Sequence, residues 1–281
     1  MTALEWPIEL DVERETETIQ SRPHLVVVPP KRVNLFGVEV DALTMSESVD
    51  QAEKLLLADK PAHHVCLNAA KVVRIEDDPD LRRIVEHAAM VHIDGTPVAW
   101  ACRLLGSPVP ERIAGIDFLQ AMLERAALRG WRVFFLGATD EVVKRAVEVE
   151  CERHPGLRIA GYRNGFWTAG EEADVVAEVA ATKPDLLLLA LPTPLKEHFA
   201  AEHLEGFRAR FVLGVGGSFD ISAGLTKRAP RWMQTVGLEW FFRRIQEPRR
   251  MWKRYLVGNS RFLALIAALW MRGDQRVPAT A

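Results

Sequence analysis

The sequence lacks most of the features that make a protein's chemistry easy to read. Three cysteines, Cys66, Cys102 and Cys151, are too few and odd in number for a disulfide framework, and without a C-x-x-C pair they offer no zinc knuckle. That usage fits a reducing cytoplasm. Neither G-x-G-x-x-G nor a P-loop occurs, so a dinucleotide-dependent dehydrogenase lacks its glycine fingerprint here. The histidines, His63-His64 included, show no metal-ligand spacing, and no Ser-His-Asp arrangement stands out. No run reaches the roughly 20 apolar residues that cross a bilayer. The longest in the tail, FLALIAALWM (262–271), would form a helix only about 15 Å long, fit to lie on a membrane or pack on a core but not to span. The opening MTALEWPIELDVERETETIQSRPHL is acidic where an export signal is basic and then apolar, and residues 1 to about 30 read as a mobile lead-in.

What is present is a chain of 281 residues, 48% hydrophobic and 26% charged, with room for one large α/β domain or a domain plus an appendage. Buried-looking runs alternate with helical spacing. VNLFGVEV (33–40) resembles a first strand, followed by SESVDQAEKLLL as a helix with a serine start. HHVCLN, MVHI, WRVFFLG, LRIAGY, DLLLLAL and RFVLGVG are further strand candidates, each next to a helical segment. Such alternation predicts a Rossmann-like, mainly parallel sheet with helices on both faces.

Ligands of such sheets sit outside the carboxyl ends of the strands. The residues just after the runs are therefore the candidates: Asn68, Asp94, Gly137, Pro194 with Lys196 and Glu197, and Gly216-Gly217 with Asp220. Each has a plain structural alternative. Asn68 and Asp94 are good helix caps, and GVGGSFD serves as a tight strand-to-helix turn as well as it serves as a phosphate cradle. EDDPD holds a D-x-D pattern that would suit a metal, but before LRRIVEHA it looks more like an acidic helix start.

Charge is unevenly spread. The formal net charge is −2, yet residues 227–261 hold ten Lys/Arg against two Glu. In EWFFRRIQEPRRMWKRYL these cations are interleaved with tryptophan, phenylalanine and tyrosine, a pattern suited to an anionic, partly apolar surface. Nucleic acid is the rival target for a basic aromatic segment.

From NAAKVVRIEDDPDLRRIVEHAAMVHIDGTPVAWACRLLGSPVPERIAGIDFL through GYRNGFW, LLLLALPTPLKEHF and GVGGSFDISAGLTKRAPRWMQTVGLEWFFRRIQEPRRMWKRYLVGNSRF, residues 33–263 resemble the WecG/TagA/CpsF glycosyltransferases. The resemblance implies an inverting, metal-independent enzyme without cofactor. It would move a sugar from a UDP-sugar to a polyprenyl-diphosphate-linked sugar at the cytoplasmic membrane face, in synthesis of surface polysaccharide or wall polymer. Some members form dimers or trimers. The rival is a non-catalytic, membrane-associated nucleotide-sugar binding module with the same fold.

Carried onto this sequence, the resemblance implies Asp94 as general base, with Asn68 and Arg112 in the pocket. It also divides the chain into the lead-in 1–30, a glycosyltransferase domain 31–226 and a membrane-binding appendage 227–281. Arg231, Arg243, Arg244, Arg249, Arg250, Lys253 and Arg254 would then meet the membrane or a diphosphate, and nucleic acid drops out as a partner. Two positions depart from the family. Lys196 stands where a glutamine is usual, and Cys66 where a threonine is common, both on what is expected to be the donor side.

Overall fold

A computed structural model of the chain describes residues 31–235, 239–246 and 248–271. The chain opens with a hairpin, β1 (Arg32–Leu35) and β2 (Val38–Asp41), where the alternating pattern suggested one strand. Phe36 and Gly37 turn the corner with φ of 55° and 76°, and a phenylalanine in the left-handed region is a signal that composition does not give. The hairpin packs on the sheet through Asp41, whose carboxylate accepts from Arg32 at 2.9 Å and from the backbone N–H of Val91 at 2.6 Å.

The main sheet is built from β3 (Ala62–Leu67), β4 (Met90–Ile93), β5 (Arg132–Gly137), β6 (Arg158–Arg163), β7 (Leu186–Ala190) and β8 (Phe211–Gly214). All neighbours are parallel, in the order β4-β3-β8-β7-β5-β6. A parallel sheet needs crossover helices, and the chain supplies them in α2 (Ala69–Asp77), α3 (Pro79–Glu86), α4 (Thr96–Leu104), α5 (Gly115–Arg129), α6 (Asp140–Arg153), α7 (Glu172–Thr182) and α8 (Leu195–Glu202), while α1 (Met45–Leu57) leads from the hairpin into β3 and α9 (Ser218–Ser222) follows β8.

Alternation within each strand sorts the core into two faces. Val133, Phe135, Leu186, Leu188, Phe211 and Leu213 pack against α1, α5 and α6. Their neighbours Phe134, Leu136, Leu187, Leu189 and Val212 pack against α7 and α8, and Val65, Leu67, Val91 and Ile93 against α2, α3 and α4. The expected fold class is observed, helices on both faces included.

The basic tail continues as α10 (Arg231–Thr235), α11 (Glu239–Gln246) and α12 (Pro248–Met271). The run from Phe262 partly packs on the core. Phe262 is 1% exposed against Phe36, with Leu265, Ile266 and Leu269 beside it, while Leu263, Trp270 and Met271 face outward. Arg261 fastens α12 to α2 through a two-pronged contact with Asp77 at 2.7 and 2.8 Å. Among the described residues no helix is long and apolar enough to cross a membrane.

Candidate active site

Four adjacent strands, β4, β3, β8 and β7, end beside one another, and the residues after them form the site. Asn68 follows β3 and caps α2, accepting the Lys71 N–H at 3.0 Å, so the cap reading holds for it. Asp94 follows β4 but does not cap α4, whose N-cap is Gly95. One of its carboxylate oxygens instead accepts the N–H of Gly115, the first residue of α5, at 3.1 Å. The other takes no hydrogen bond from the described residues. Gly95 lies directly against Asn68, 3.6 Å from its Cβ at the position a side chain would occupy, so the loops after β3 and β4 are in contact.

Arg112 reaches the same corner. Its guanidinium donates to the backbone carbonyl of Asp94 at 2.9 Å and pairs with Glu239, the first residue of α11, at 3.0 Å. Arg228 grips Asp117 of α5 with two bonds of 2.5 Å, and its Nε lies 3.9 Å from the Glu239 carboxylate.

Beneath β7 and β8 lies a cluster of three buried charges. Lys71 pairs with Glu197 at 2.7 Å, and Lys196 approaches the same carboxylate at 3.4 Å. All three are under 8% exposed, and ionised groups are that deep only when partnered. Burial alone would raise the Glu197 carboxyl, but Lys71 and then Lys196 overcome it and hold the group at about 2. Burial pulls the Lys71 ammonium down, with Glu197 opposing.

Lys196 also runs close to the glycine-rich turn. Its stem runs so close to β8 that a Cβ on Gly214 would sit 2.9 Å from Lys196 Cε, and its ammonium lies 3.8 Å from the Cβ position of Gly216, whose φ is 54°. Gly214 thus makes room for the lysine stem, while Gly216 answers to its left-handed φ. Gly217 caps α9, which has only five residues, and Asp220 lies in that short helix, its carbonyl accepting from Leu225 and Thr226. Pro194 is the N-cap of α8 behind a cis Thr193–Pro194 bond. Gly137, at φ 131°, lies against β7, where a Cβ would strike the Ala190 carbonyl at 2.5 Å.

Cys66 is buried, its thiol pushed up to about 12 by burial and then by Asp94. It lies 3.8 Å from His64, which contacts His92 at 3.1 Å. The D-x-D run is a helix start, Asp78 accepting the Leu81 N–H at 3.0 Å. Glu172, Glu202 and His203 are the one set of ligand atoms among the described residues within 4.8 Å of one another. His203 and Glu172 already form a 2.7 Å pair there, away from Asp94 at the far end of α8.

This arrangement can be compared with known proteins. A family model described as glycosyl transferase WecG/TagA/CpsF matches residues 33–276. The chain belongs to that family. Among curated relatives, an N-acetylglucosaminyldiphosphoundecaprenol N-acetyl-beta-D-mannosaminyltransferase of Bacillus spizizenii is 34% identical over 64% of this chain and 68% of its own length. A protein of the same description from Staphylococcus aureus is 30% identical over 79% of this chain and 86% of its own length.

For this WecG/TagA/CpsF-family chain, the structure gathers Asn68, Asp94 and Arg112 at one corner and Lys196 and Glu197 at another. Arg231 is exposed at the start of α10. The side chains of Arg243, Arg244, Arg249, Arg250, Lys253 and Arg254 lie outside the described ones, as do residues 1–30. Sequence reasoning passed over Lys71, Asp117, Arg228 and Glu239. Lys71 carried one hint, a lysine three places after Asn68 in a first turn facing the sheet. The other three pair across 11 to 127 positions, which no spacing rule reveals.

Proposed function

We propose that the protein transfers a sugar from a UDP-sugar to a polyprenyl-diphosphate-linked sugar, with inversion and without a metal, in the synthesis of a surface polysaccharide or wall polymer. The observation that carries this reading is the Asp94 carboxylate at the strand ends, one oxygen fixed by the Gly115 N–H and the other without a partner among the described residues. The relatives' names support the acceptor class, a sugar on undecaprenyl diphosphate.

In this mechanism Asp94 takes the proton of the acceptor hydroxyl as its oxygen attacks the anomeric carbon. The new C–O bond forms as the bond to the diphosphate breaks from the opposite face, the electron pair leaving on the β-phosphate oxygen. The β-linkage in the relatives' names is what such displacement yields from an α-linked nucleotide sugar. Lys196, under the Gly214–Gly216 turn, and Arg112 supply positive charge for the departing UDP. The five-residue α9 is a shorter source of N-terminal dipole than these full charges.

The basic, aromatic tail fits a peripheral seat on an anionic leaflet, where each cation contributes about 1 kcal/mol. Such a seat would bring the site to its lipid-linked acceptor on the cytoplasmic side. The test is UDP release from a panel of UDP-glucose, UDP-N-acetylmannosamine and its uronic acid, with a short-chain lipid-diphosphate sugar as acceptor. Release with one donor, dependent on acceptor, is expected; none with any donor overturns the reading. In parallel, sedimentation with anionic vesicles should weaken as salt rises.

A further inference from the structure

Five contacts close a ring around Asp94. Its carboxylate accepts the Gly115 N–H that opens α5. Two residues on, Asp117 holds Arg228 by two 2.5 Å bonds. The Arg228 Nε, buried and without a hydrogen-bond partner, lies 3.9 Å from Glu239. The other Glu239 oxygen pairs with Arg112 at 3.0 Å, and Arg112 returns to the Asp94 carbonyl at 2.9 Å. At the far end of α11, Gln246 both accepts from the Lys227 N–H at 3.0 Å and donates to the Lys227 carbonyl at 2.9 Å. Helix α11 is thus pinned at each end to the stretch that carries Arg228.

We propose that Glu239 is a positioning residue that couples the seating of the C-terminal helices to the placement of the Asp94 carboxylate. Among the described residues it is the single acidic group of the tail between the two arginines, and no contact of its carboxylate with Asp94 or the α5 N-terminus is formed there. Arg112 faces the Asp94 carbonyl and Glu239; Arg228 faces Asp117 and Glu239. With the carboxylate in place, both guanidinium groups are oriented, one toward the base's backbone and one toward the helix whose first N–H orients the base's side chain. Without it, Arg112 keeps one anchor and the ring opens. A small displacement of a base is enough to cost about a hundredfold in rate, because proton transfer requires near-contact geometry. The inference rests on Asp94 being the base, and the experiment separates the two ideas.

Glu239→Gln in the full-length protein keeps the size and removes the charge. Expected are a kcat lower by about ten- to a hundredfold, a donor KM within about twofold, a melting temperature close to the parent's, and faster hydrogen exchange at the Gly115 amide. Asp117→Asn should act alike, and the double variant should lose no more than the worse single one, since either cut opens the same ring. Losses that multiply, unchanged Gly115 exchange, or a raised KM at constant kcat would each overturn the proposal. An increase in activity would also overturn it, because Glu239 would then be a carboxylate occupying a phosphate subsite. If the parent shows no transfer at all, the functional reading fails, while the exchange at Gly115 still decides whether the ring couples α11 to α5.

Discussion

The two ends of the main sheet carry similar numbers of charged side chains and treat them in opposite ways. At the amino end the structure opens two concavities. One of about 490 Å³ is lined by His63, Asp80, Arg83 and His87, and one of about 340 Å³ by Arg132, Lys183, Asp185, Arg208 and Arg210. Lys183 and Arg208 are exposed there and form no side-chain ion pair among the described residues. At the carboxyl end Lys71, Lys196 and Glu197 are buried against one another, and Arg112 ties Asp94 to the tail. The two ends therefore differ in how their charges are treated, not in how many they carry. Desolvating a charge is expensive and persists only where geometry compensates it, so the buried, paired cluster is the better mark of a site.

The comparison breaks most sharply at Asp94. Asp94→Asn keeps the acceptor for the Gly115 N–H but cannot take a proton, so turnover should fall by about 10²–10⁴-fold with folding and UDP binding intact. Steady-state kinetics beside a melting curve would show it. Retention of most activity would leave Asp94 a structural role alone, holding the start of α5 through the Gly115 N–H.

Next in size is the buried pair. Lys71→Met leaves Glu197 with the longer Lys196 contact and the Thr193 hydroxyl, 3.4 and 3.3 Å away, and breaking a buried ion pair from one side typically costs about 3–5 kcal/mol. With about 2–4 °C per kcal/mol for a domain of this size, the melting temperature should drop by roughly 6 °C or more. A shift under a degree would mean that water already reaches the cluster, and the contrast between the ends would lose its physical basis.

Much of the carboxyl end was legible because local rules govern it. The strands were visible as apolar runs, and the loop after each parallel strand is a place the topology itself favours, so Asn68, Asp94, Lys196 and Gly216 could be named in advance. The hairpin at Phe36-Gly37 was missed because its turn rests on a phenylalanine with positive φ. The turn after β8 reads equally well as a phosphate cradle or a tight strand-to-helix turn, and what its pattern does not show is that the Lys196 stem runs beside Gly214. Glu239 and Arg228 were legible only as members of a basic tail, since their partners on α5 and beside Asp94 are fixed by the way the tail folds back.

Acid should expose the same contrast more gently. Burial first, then His92 and the nearby lysines, hold His64 well below its ordinary value of 6.5, and burial brings His92 to about 3. Glu197 stands at about 2 against an ordinary 4.5. All three are depressed in the folded state, so the unfolded chain binds protons first as pH falls. Their stabilisation is whole above about 6.5, erodes as the histidines fail to protonate, and erodes further below 4.5 as Glu197 resists. Denaturant midpoints at pH 7, 5.5 and 4 should fall in that order, and a flat profile would mean that the imidazoles find solvent in the folded state.

Lys196→Gln restores the residue usual in the family and removes one of the buried charges. If the ammonium meets a phosphate or an acidic sugar of the donor, the donor KM should rise about tenfold or the preferred donor should change, a difference of about 1.4 kcal/mol. The side chain is only 9% exposed, so it does not point into solvent. Identical donor kinetics would show that it serves the packing under Gly214 alone.

The smallest effect belongs to the amino end, where the expectation is near-silence. Lys183 and Arg208 sit at φ of 46° and 52°, in a region that non-glycine residues enter at a cost. Their backbone strain is real, but their charges have water around them and no carboxylate that depends on them. Changing both to asparagine, which tolerates the left-handed region better, removes two cations and relieves some of that strain. Stability should stay level or rise by up to about 0.5 kcal/mol, and transfer kinetics should be unchanged. Two cations are lost here, as in Lys71→Met and Lys196→Gln taken together, but these two are exposed and, among the described residues, unpaired, where Lys71 and Lys196 are buried against Glu197. A large loss of activity from the amino-end variant would show that function reaches across the sheet.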